Sequence, residues 1–158
     1  MELDRMLIQG NPALSVSGID VVDSHPQLGK HMTFGVYDGA RLPYAEKTFD
    51  AAIVYHVFHH CRDPLASLGE VKRVVKKRIL VVEAVLRSYA ELPFFMMADL
   101  VANRGREAHI PMPFEAKTDA WWKKAFDRLQ LRIIIEKPAG FLPSWLPIGT
   151  TKLYILAP

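Results

Sequence analysis

The sequence predicts an α/β fold, in which helices cover the faces of a sheet. Short apolar runs typical of strands alternate along the 158 residues with segments that have the period of a helix. Of these residues, 50% are hydrophobic and 23% are charged, a balance that suits a packed core and excludes a disordered chain. No linker rich in glycine and serine divides the sequence, so we expect a single domain over residues 1–158.

The first third of the chain is expected to supply a helix end and three strands. Residues 4–9 fit the end of a helix, and strands are predicted at residues 14–22, 32–37 and 49–54. The third strand contains the continuous apolar run Ala-Ala-Ile-Val. Such a run is typical of a strand buried on both faces of a sheet.

The middle of the chain predicts a helix, a strand and a long insertion. Asp63 suits the N-cap of a helix and Pro64 its first position. A buried strand is expected at residues 79–82 and ends at Glu83, and residues 84–117 form the insertion. Basic residues fill the C-terminal half of the predicted helix, where they complement the helix dipole or, alternatively, bind phosphate: Lys72, Arg73, Lys76, Lys77 and Arg78.

The C-terminal part predicts one more helix and two closing strands. Thr118 and Asp119 suit the start of the helix, and Trp122 and Phe126, four residues apart, share one of its faces. Strands are predicted at residues 131–135 and 152–156. The expected order is therefore α-β-β-β-α-β, the insertion, and then α-β-β.

Composition and charge narrow the classes of function. The net charge is +3 and the pI is near 9.0. This excess of basic over acidic residues is too small to predict nucleic-acid binding. Cys61 is the single cysteine, which excludes a disulfide framework and a zinc site made of cysteines. The longest apolar runs contain Glu83 or Asp99 and are too short to span a membrane, and the N-terminus does not resemble a signal peptide. We expect a soluble cytoplasmic protein.

Three motifs in the first half of the chain carry a resemblance to a known family. Residues 38–50 read DGARLPYAEKTFD, residues 57–60 read VFHH, and residues 70–76 read EVKRVVK. In this order and spacing they resemble class I S-adenosylmethionine-dependent methyltransferases of the small-molecule branch. The resemblance implies a Rossmann-like methyltransferase sheet, mostly parallel, with a C-terminal antiparallel hairpin. It also implies methyl transfer from S-adenosylmethionine to a small molecule, with no nucleic acid as partner.

The resemblance also implies which residues contact the cofactor. Asp20, at the end of the second family strand, would accept hydrogen bonds from both ribose hydroxyls. Asp38, at the end of the third, would accept one from the adenine amino group. Turns after strands also favour aspartate, so a plain turn role stays open for both. The implied cofactor-binding residues are Asp20, Val21, Asp38, Gly39, Ala40, Tyr55 and His56.

Catalytic and substrate-side residues are expected near the same strand ends. His59 or His60 could accept a proton, because imidazole titrates near neutrality. His56, His59, His60 and Cys61 suggest a metal site, but no metal is expected. Adjacent histidines point apart in an extended segment, and the sequence places no further carboxylate or thiol with these four. The insertion and the loop at residues 141–147 are expected to contact an apolar or aromatic substrate or, alternatively, to form a dimer face. The side chains expected to do so are Phe94, Phe95, Met97 and Trp145.

The sequence departs from the family pattern at its start. The first strand of the family and its glycine-rich turn precede the first helix, and neither is found here. We therefore expect a truncated chain whose sheet lacks the first strand of the family. Three alternatives follow: the neighbouring strands pair directly, a partner chain such as a second copy fills the gap, or activity is lost. The alternative function is a non-catalytic methyltransferase-like module that serves binding or subunit pairing.

Overall fold

A computed structural model describes residues 2–23, 30–104, 115–140 and 149–158. The chain divides into two compact units, Met1–Arg41 and Leu42–Pro158. Trp145 and the rest of the loop at residues 141–147 lie outside the described residues. Among the described helices, none has the length and apolar content that crossing a membrane would require.

The first unit contains one helix and a two-stranded parallel sheet. Helix α1 spans Glu2–Gly10, strand β1 spans Val16–Asp20 and strand β2 spans Met32–Val36. The two strands pair in register from Val16 opposite Met32 to Asp20 opposite Val36. Both strands therefore end at the same edge of this small sheet.

The second unit contains the larger sheet and the other helices. Its strands are β3 (Phe49–Tyr55), β4 (Val75–Leu86), β5 (Lys117–Thr118), β6 (Arg132–Pro138) and β7 (Thr150–Ala157). Its helices are α2 (Pro64–Val74), α3 (Leu92–Ala102) and α4 (Asp119–Arg128), and Phe58–His60 and Tyr89–Glu91 form short 3-10 turns. The strand order is β3-β4-β7-β6, with β5 also paired to β4.

The pairing in this sheet confirms the predicted fold class. Strand β4 lies parallel to β3 and to β5, and antiparallel to β7. Strands β6 and β7 form the predicted antiparallel hairpin at the C-terminus. Strands β1 and β2 form the sheet of the first unit, and strands β3 to β7 form the sheet of the second.

Two local predictions are wrong. Strand β4 already begins at Val75, so Lys76, Lys77 and Arg78 lie in a strand and not in the helix. Pairing with β3 explains this, because Val75 and Arg78 take their partners there and Lys77 pairs with Asp50 at 2.9 Å. Strand β3 is not buried on both faces either: it ends the order of the described strands, and Ile53 is 41% exposed.

The core of the second unit is aromatic and lies against β4 and β7. Trp122 of α4 is buried and packs with Phe58 and Phe126, and the ring of Phe126 meets Tyr154 of β7 at 5.1 Å. Leu68 of α2 is fully buried in the same cluster. Because Phe58 directly precedes His59, this core also anchors the turn that carries the histidines.

A polar network closes one side of that core around Asp119. Its Oδ1 accepts hydrogen bonds from Tyr154 Oη at 2.6 Å and Lys152 Nζ at 2.8 Å, and Lys123 Nζ lies 2.8 Å from Oδ2. Partial burial alone would raise the pKa of Asp119, but the hydrogen bonds from Lys123, Lys152 and Tyr154 outweigh it and hold the pKa well below 3.8.

We expect this network to make the free energy of unfolding depend on pH in the acidic range. A carboxyl whose pKa is depressed by folding stabilises the protein above its unfolded pKa, and this contribution is lost as the pH falls. Asp119→Asn should therefore lower the free energy of unfolding by about 1 kcal/mol near neutral pH and flatten its decline below about pH 4. Urea unfolding across that pH range measures both effects. Asp127→Asn, an exposed site on the same helix, should behave like the parent protein.

Candidate active site

In the first unit, Asp20 ends β1 and Asp38 follows β2. Asp20 Oδ1 accepts hydrogen bonds from the amides of Val21 at 2.7 Å and Val22 at 3.4 Å. Asp38 Oδ1 accepts from the amides of Ala40 at 2.8 Å and Arg41 at 3.1 Å, and these two bonds lower the pKa of Asp38. Each aspartate therefore uses one carboxylate oxygen to accept hydrogen bonds from the backbone of the turn that follows its strand.

The other oxygen of each carboxylate is an available acceptor. Within the described part of the chain, neither Asp20 Oδ2 nor Asp38 Oδ2 accepts a hydrogen bond. The main chain connects the two segments, since the amide of Tyr37 donates to the carbonyl of Asp20 at 3.0 Å. This edge of the first unit thus presents two negatively charged acceptors.

An apolar surface lies beside these acceptors. Gly39 has a φ of 78°, and a Cβ at this position would lie 3.1 Å from Val21 Cγ1. Only a residue without a side chain adopts this conformation at low cost at such a close approach. Val21 is 40% exposed. The structure therefore brings together, within the first unit, the predicted residues Asp20, Val21, Asp38, Gly39 and Ala40.

In the second unit, Tyr55 and His56 stand where β3 ends. The Tyr55 ring is exposed and meets the His56 ring edge-on at 4.8 Å. His56 has a φ of 51°, and its amide donates to the carbonyl of Val82 on β4 at 2.8 Å. A left-handed conformation is uncommon for a residue with a side chain and often occurs at functional sites. The sequence carried no signal of this conformation.

Glu83 connects β4 to the histidine turn and is almost completely buried, at 1% exposure. Its Oε1 lies 2.5 Å from His59 Nδ1 and accepts from the amide of Ala84, while Oε2 accepts from the amide of Phe58 at 2.8 Å. Sequence analysis identified Glu83 only as the end of a strand. A glutamate directly after a buried apolar strand could have indicated a partner for its carboxylate, because an acidic residue is rarely buried without one.

His59 lies between two carboxylates. Its Nδ1 faces Glu83, and its Nε2 lies 3.7 Å from Asp99 Oδ1 on α3. Burial alone would lower the pKa of His59, but the hydrogen bond with Glu83 and the negative charges of Glu83 and Asp99 outweigh it and raise the pKa. The half-buried His56 differs: burial lowers its pKa more than the more distant Glu83 raises it. The role of His59 or His60 as proton acceptor stays a prediction.

The predicted substrate-side residues on α3 differ in their exposure to solvent. Phe95 is buried, contacts the small core of Ala84, Leu86 and Ala116, and meets the His59 ring edge-on at 5.6 Å. Other apolar residues of α3 are exposed: Phe94, Met97, Leu100 and Val101. We call these four the apolar face of α3. The helix was not predicted from the sequence because apolar residues occur all around it, so no polar face marks a helical period.

One known family matches the part of the chain that contains the predicted cofactor-binding positions. Residues 13–82 match the family model described as a methyltransferase domain. This segment resembles a methyltransferase domain. The matched segment includes β1, β2, β3 and most of β4, together with every predicted cofactor-binding residue. The predicted resemblance to class I methyltransferases is confirmed. No curated protein sequence matches the chain.

Several solved structures share the fold of this chain. An S-adenosylmethionine-dependent methyltransferase from Mesorhizobium loti has a TM-score of 0.70 and 13% identity, covering 99% of this chain and 85% of its own. One from Methanosarcina mazei has a TM-score of 0.65 and 16% identity, covering 96% and 85%. A chain of the complex between the Haloferax volcanii Trm112 methyltransferase activator and a methyltransferase has a TM-score of 0.70 and 13% identity, covering 99% and 77%. At these identities the likeness concerns the fold alone.

Proposed function

We propose that this methyltransferase domain takes S-adenosylmethionine as its donor and methylates a small apolar or aromatic molecule. The observation that carries the proposal is the pair of acceptors in the first unit, Asp20 Oδ2 and Asp38 Oδ2, beside the apolar surface of Val21 and Gly39. Adenosine offers the complementary groups, which are two adjacent ribose hydroxyls, an amino group and an apolar ring.

The residues of the first unit offer groups that are chemically complementary to adenosine. A carboxylate accepts from two neighbouring hydroxyls, which suits Asp20, and a second carboxylate suits the amino group at Asp38. The missing Cβ at Gly39 leaves its backbone open to close approach, and Val21 supplies apolar contact. We assign Asp20 to the ribose, Asp38 and the Ala40 amide to the edge of the adenine ring, and Val21 to its face.

The family resemblance also implies contacts for the reactive part of the donor. When bound, S-adenosylmethionine supplies a methyl group on a sulfonium ion, already activated for displacement by a nucleophile. The task left to the protein is to position the acceptor molecule and to exclude water. Tyr55 and His56 at the end of β3 are the residues we assign to the methionine part.

The proposed substrate class rests on the apolar face of α3. Exposed aromatic and methionine side chains offer large, adaptable contact surfaces for an apolar ligand. Phe94 and Met97 contribute such side chains, and Met97 is 64% exposed. Trp145, outside the described residues, is proposed to contribute from its loop. Phe95 is better assigned to the packing beneath this face because it is buried.

Titration calorimetry with S-adenosylhomocysteine tests the cofactor assignment. We expect binding by the full chain, and a loss of at least about tenfold in affinity for Asp20→Asn, because a charge-assisted hydrogen bond to the ribose is weakened. The amide substitution keeps an oxygen for the Val21 amide, so the turn survives. Asp50→Asn changes an exposed aspartate that pairs with Lys77 on the surface; it is the matched control and should bind like the parent.

A second candidate function is a methyltransferase-like module that binds a partner or pairs with a second copy. Two observations favour it: the apolar face of α3 is exposed, and one structural neighbour was solved in complex with the activator Trm112. The same titration separates the two functions. A folded chain that binds no S-adenosylhomocysteine would contradict the methyltransferase proposal and favour the module.

A further inference from the structure

His59, His60 and Asp99 form a cluster with the composition of a metal site. One potential ligand atom from each of the three lies within 4.8 Å of the other two. His59 Nε2 and Asp99 Oδ1 are 3.7 Å apart, and the rings of His59 and His60 have centroids 4.1 Å apart. Two ligands of one tetrahedral Zn²⁺, each bonded at about 2.0–2.1 Å, lie about 3.4 Å apart. The His59 and Asp99 atoms thus need to move only a few tenths of an ångström.

The residues that hydrogen-bond to His59 and Asp99 have the arrangement expected around a metal site. A metal-binding histidine usually donates its other ring N–H to a carboxylate, which fixes the tautomer and the ring orientation. Glu83 takes this position at His59 Nδ1 and is itself held by the amides of Phe58 and Ala84. The candidate carboxylate is also fixed, since Asn103 Nδ2 donates to Asp99 Oδ1 at 2.9 Å.

The charges around His59 favour a cation at this point. Glu83 and Asp99 place two carboxylates around a single imidazole, and the Asp99 side chain is only 12% exposed. A divalent ion between His59 Nε2 and Asp99 would be attracted by both. His60 and Asp99 keep some exposure to solvent, so an ion can reach their side of the cluster.

A second combination of residues, His56, His59 and Glu83, is less suitable. Its potential ligand atoms also lie within 4.8 Å of one another. However, His59 Nδ1 and Glu83 Oε1 are 2.5 Å apart, the distance of a hydrogen bond and too short for two ligands of one ion. Glu83 is also occupied by two main-chain amides. Glu83 therefore suits the position behind the ligand.

We propose that His59 Nε2, His60 and Asp99 bind one divalent transition-metal ion, with Zn²⁺ as the best match. Two imidazoles and one carboxylate are a ligand set that Zn²⁺ accepts, with a fourth position left for water or another ligand. The sequence argument against a metal assumed an extended segment at residues 59–60 and no nearby carboxylate. The 3-10 turn Phe58–His60 replaces the extended segment, and α3 brings Asp99 to it.

Calorimetric titration of the untagged full chain with Zn²⁺ tests the proposal, with Co²⁺ absorption in the visible range as a second readout. We expect one ion per chain and tetrahedral Co²⁺ bands. His60→Ala and Asp99→Asn should each weaken binding at least about tenfold, and Glu83→Gln by about 10- to 100-fold through the lost orientation of His59. Circular dichroism of each variant verifies that it folds.

Two histidine variants serve as controls. His31→Ala lies in the first unit, and His56→Ala belongs to the competing combination, so both should bind Zn²⁺ like the parent. The proposal is overturned by a parent chain that binds no Zn²⁺ at micromolar concentrations. It is also overturned if folded His60→Ala and Asp99→Asn bind undiminished, or if His56→Ala is the variant that loses the ion.

Discussion

Replacing Glu83 by alanine is expected to lower the free energy of unfolding by about 3–5 kcal/mol, the range typical of breaking a buried pair by removing one partner. The carboxylate is buried and serves His59 together with the main-chain amides of Phe58 and Ala84. Removing it leaves these donors without their acceptor in a space that water does not fill readily. Urea unfolding followed by tryptophan fluorescence measures the change, because Trp122 lies in the adjoining core.

Two further variants show whether the loss comes from the hydrogen bonds of Glu83. Glu83→Gln keeps the volume and one acceptor oxygen but turns an amide N–H₂ towards another donor, so it should cost about 1–3 kcal/mol. Glu115→Ala removes a more exposed glutamate paired with Lys117 and should change stability by less than about 1 kcal/mol. If Glu83→Ala were as stable as Glu115→Ala, the buried carboxylate would not hold the histidine turn in place.

The parts of the fold that were predictable from sequence depend on local chemistry. Asp63 does cap α2, accepting from the amides of Leu65 and Ala66, and Thr118 caps α4 by accepting from the amide of Trp121. Caps and short apolar runs involve residues a few positions apart, so a single sequence shows them directly. Among the predicted cofactor-binding residues, Asp38, Gly39 and Ala40 belong to a motif that is contiguous in the chain, from Asp38 to Asp50.

The histidine cluster was not predictable because its contacts join distant parts of the chain. His59 meets Glu83 from 24 positions away and Asp99 from 40 positions away (99 − 59). Nothing local to residues 57–60 indicates that β4 and α3 will both reach this turn. The start of β4 was misplaced for a related reason: basic residues suit a helix end by themselves, and only the pairing of Arg78 with Ala51 draws them into the sheet.

Gly149→Ala is expected to be the second strongly destabilising substitution, at about 2–4 kcal/mol. Gly149 has a φ of 77°, and a Cβ built on it would lie 2.7 Å from the carbonyl oxygen of Val85. The left-handed conformation alone costs about 1–2 kcal/mol for a residue with a side chain. The clash adds to this, since all three nearest atoms belong to the backbone of Val85 and Leu86 and cannot rotate away. Thermal and urea unfolding measure the loss.

The relief of this clash should also be visible locally. Val85 pairs with Thr150 where β7 begins, so moving the backbone of residue 149 away from β4 breaks the first pairs of that ladder. Hydrogen exchange should accelerate at residues 150–152 and remain slow at Leu156, which pairs further along β4. Gly69→Ala is the matched control: Gly69 lies inside α2, and the nearest atom to a Cβ added there would be 3.8 Å away, so the substitution should stabilise the protein by about 0.5–1 kcal/mol. Equal stability of the two alanine variants would mean that the start of β7 adapts to a side chain at residue 149, and that β4 is not fixed there by close backbone packing.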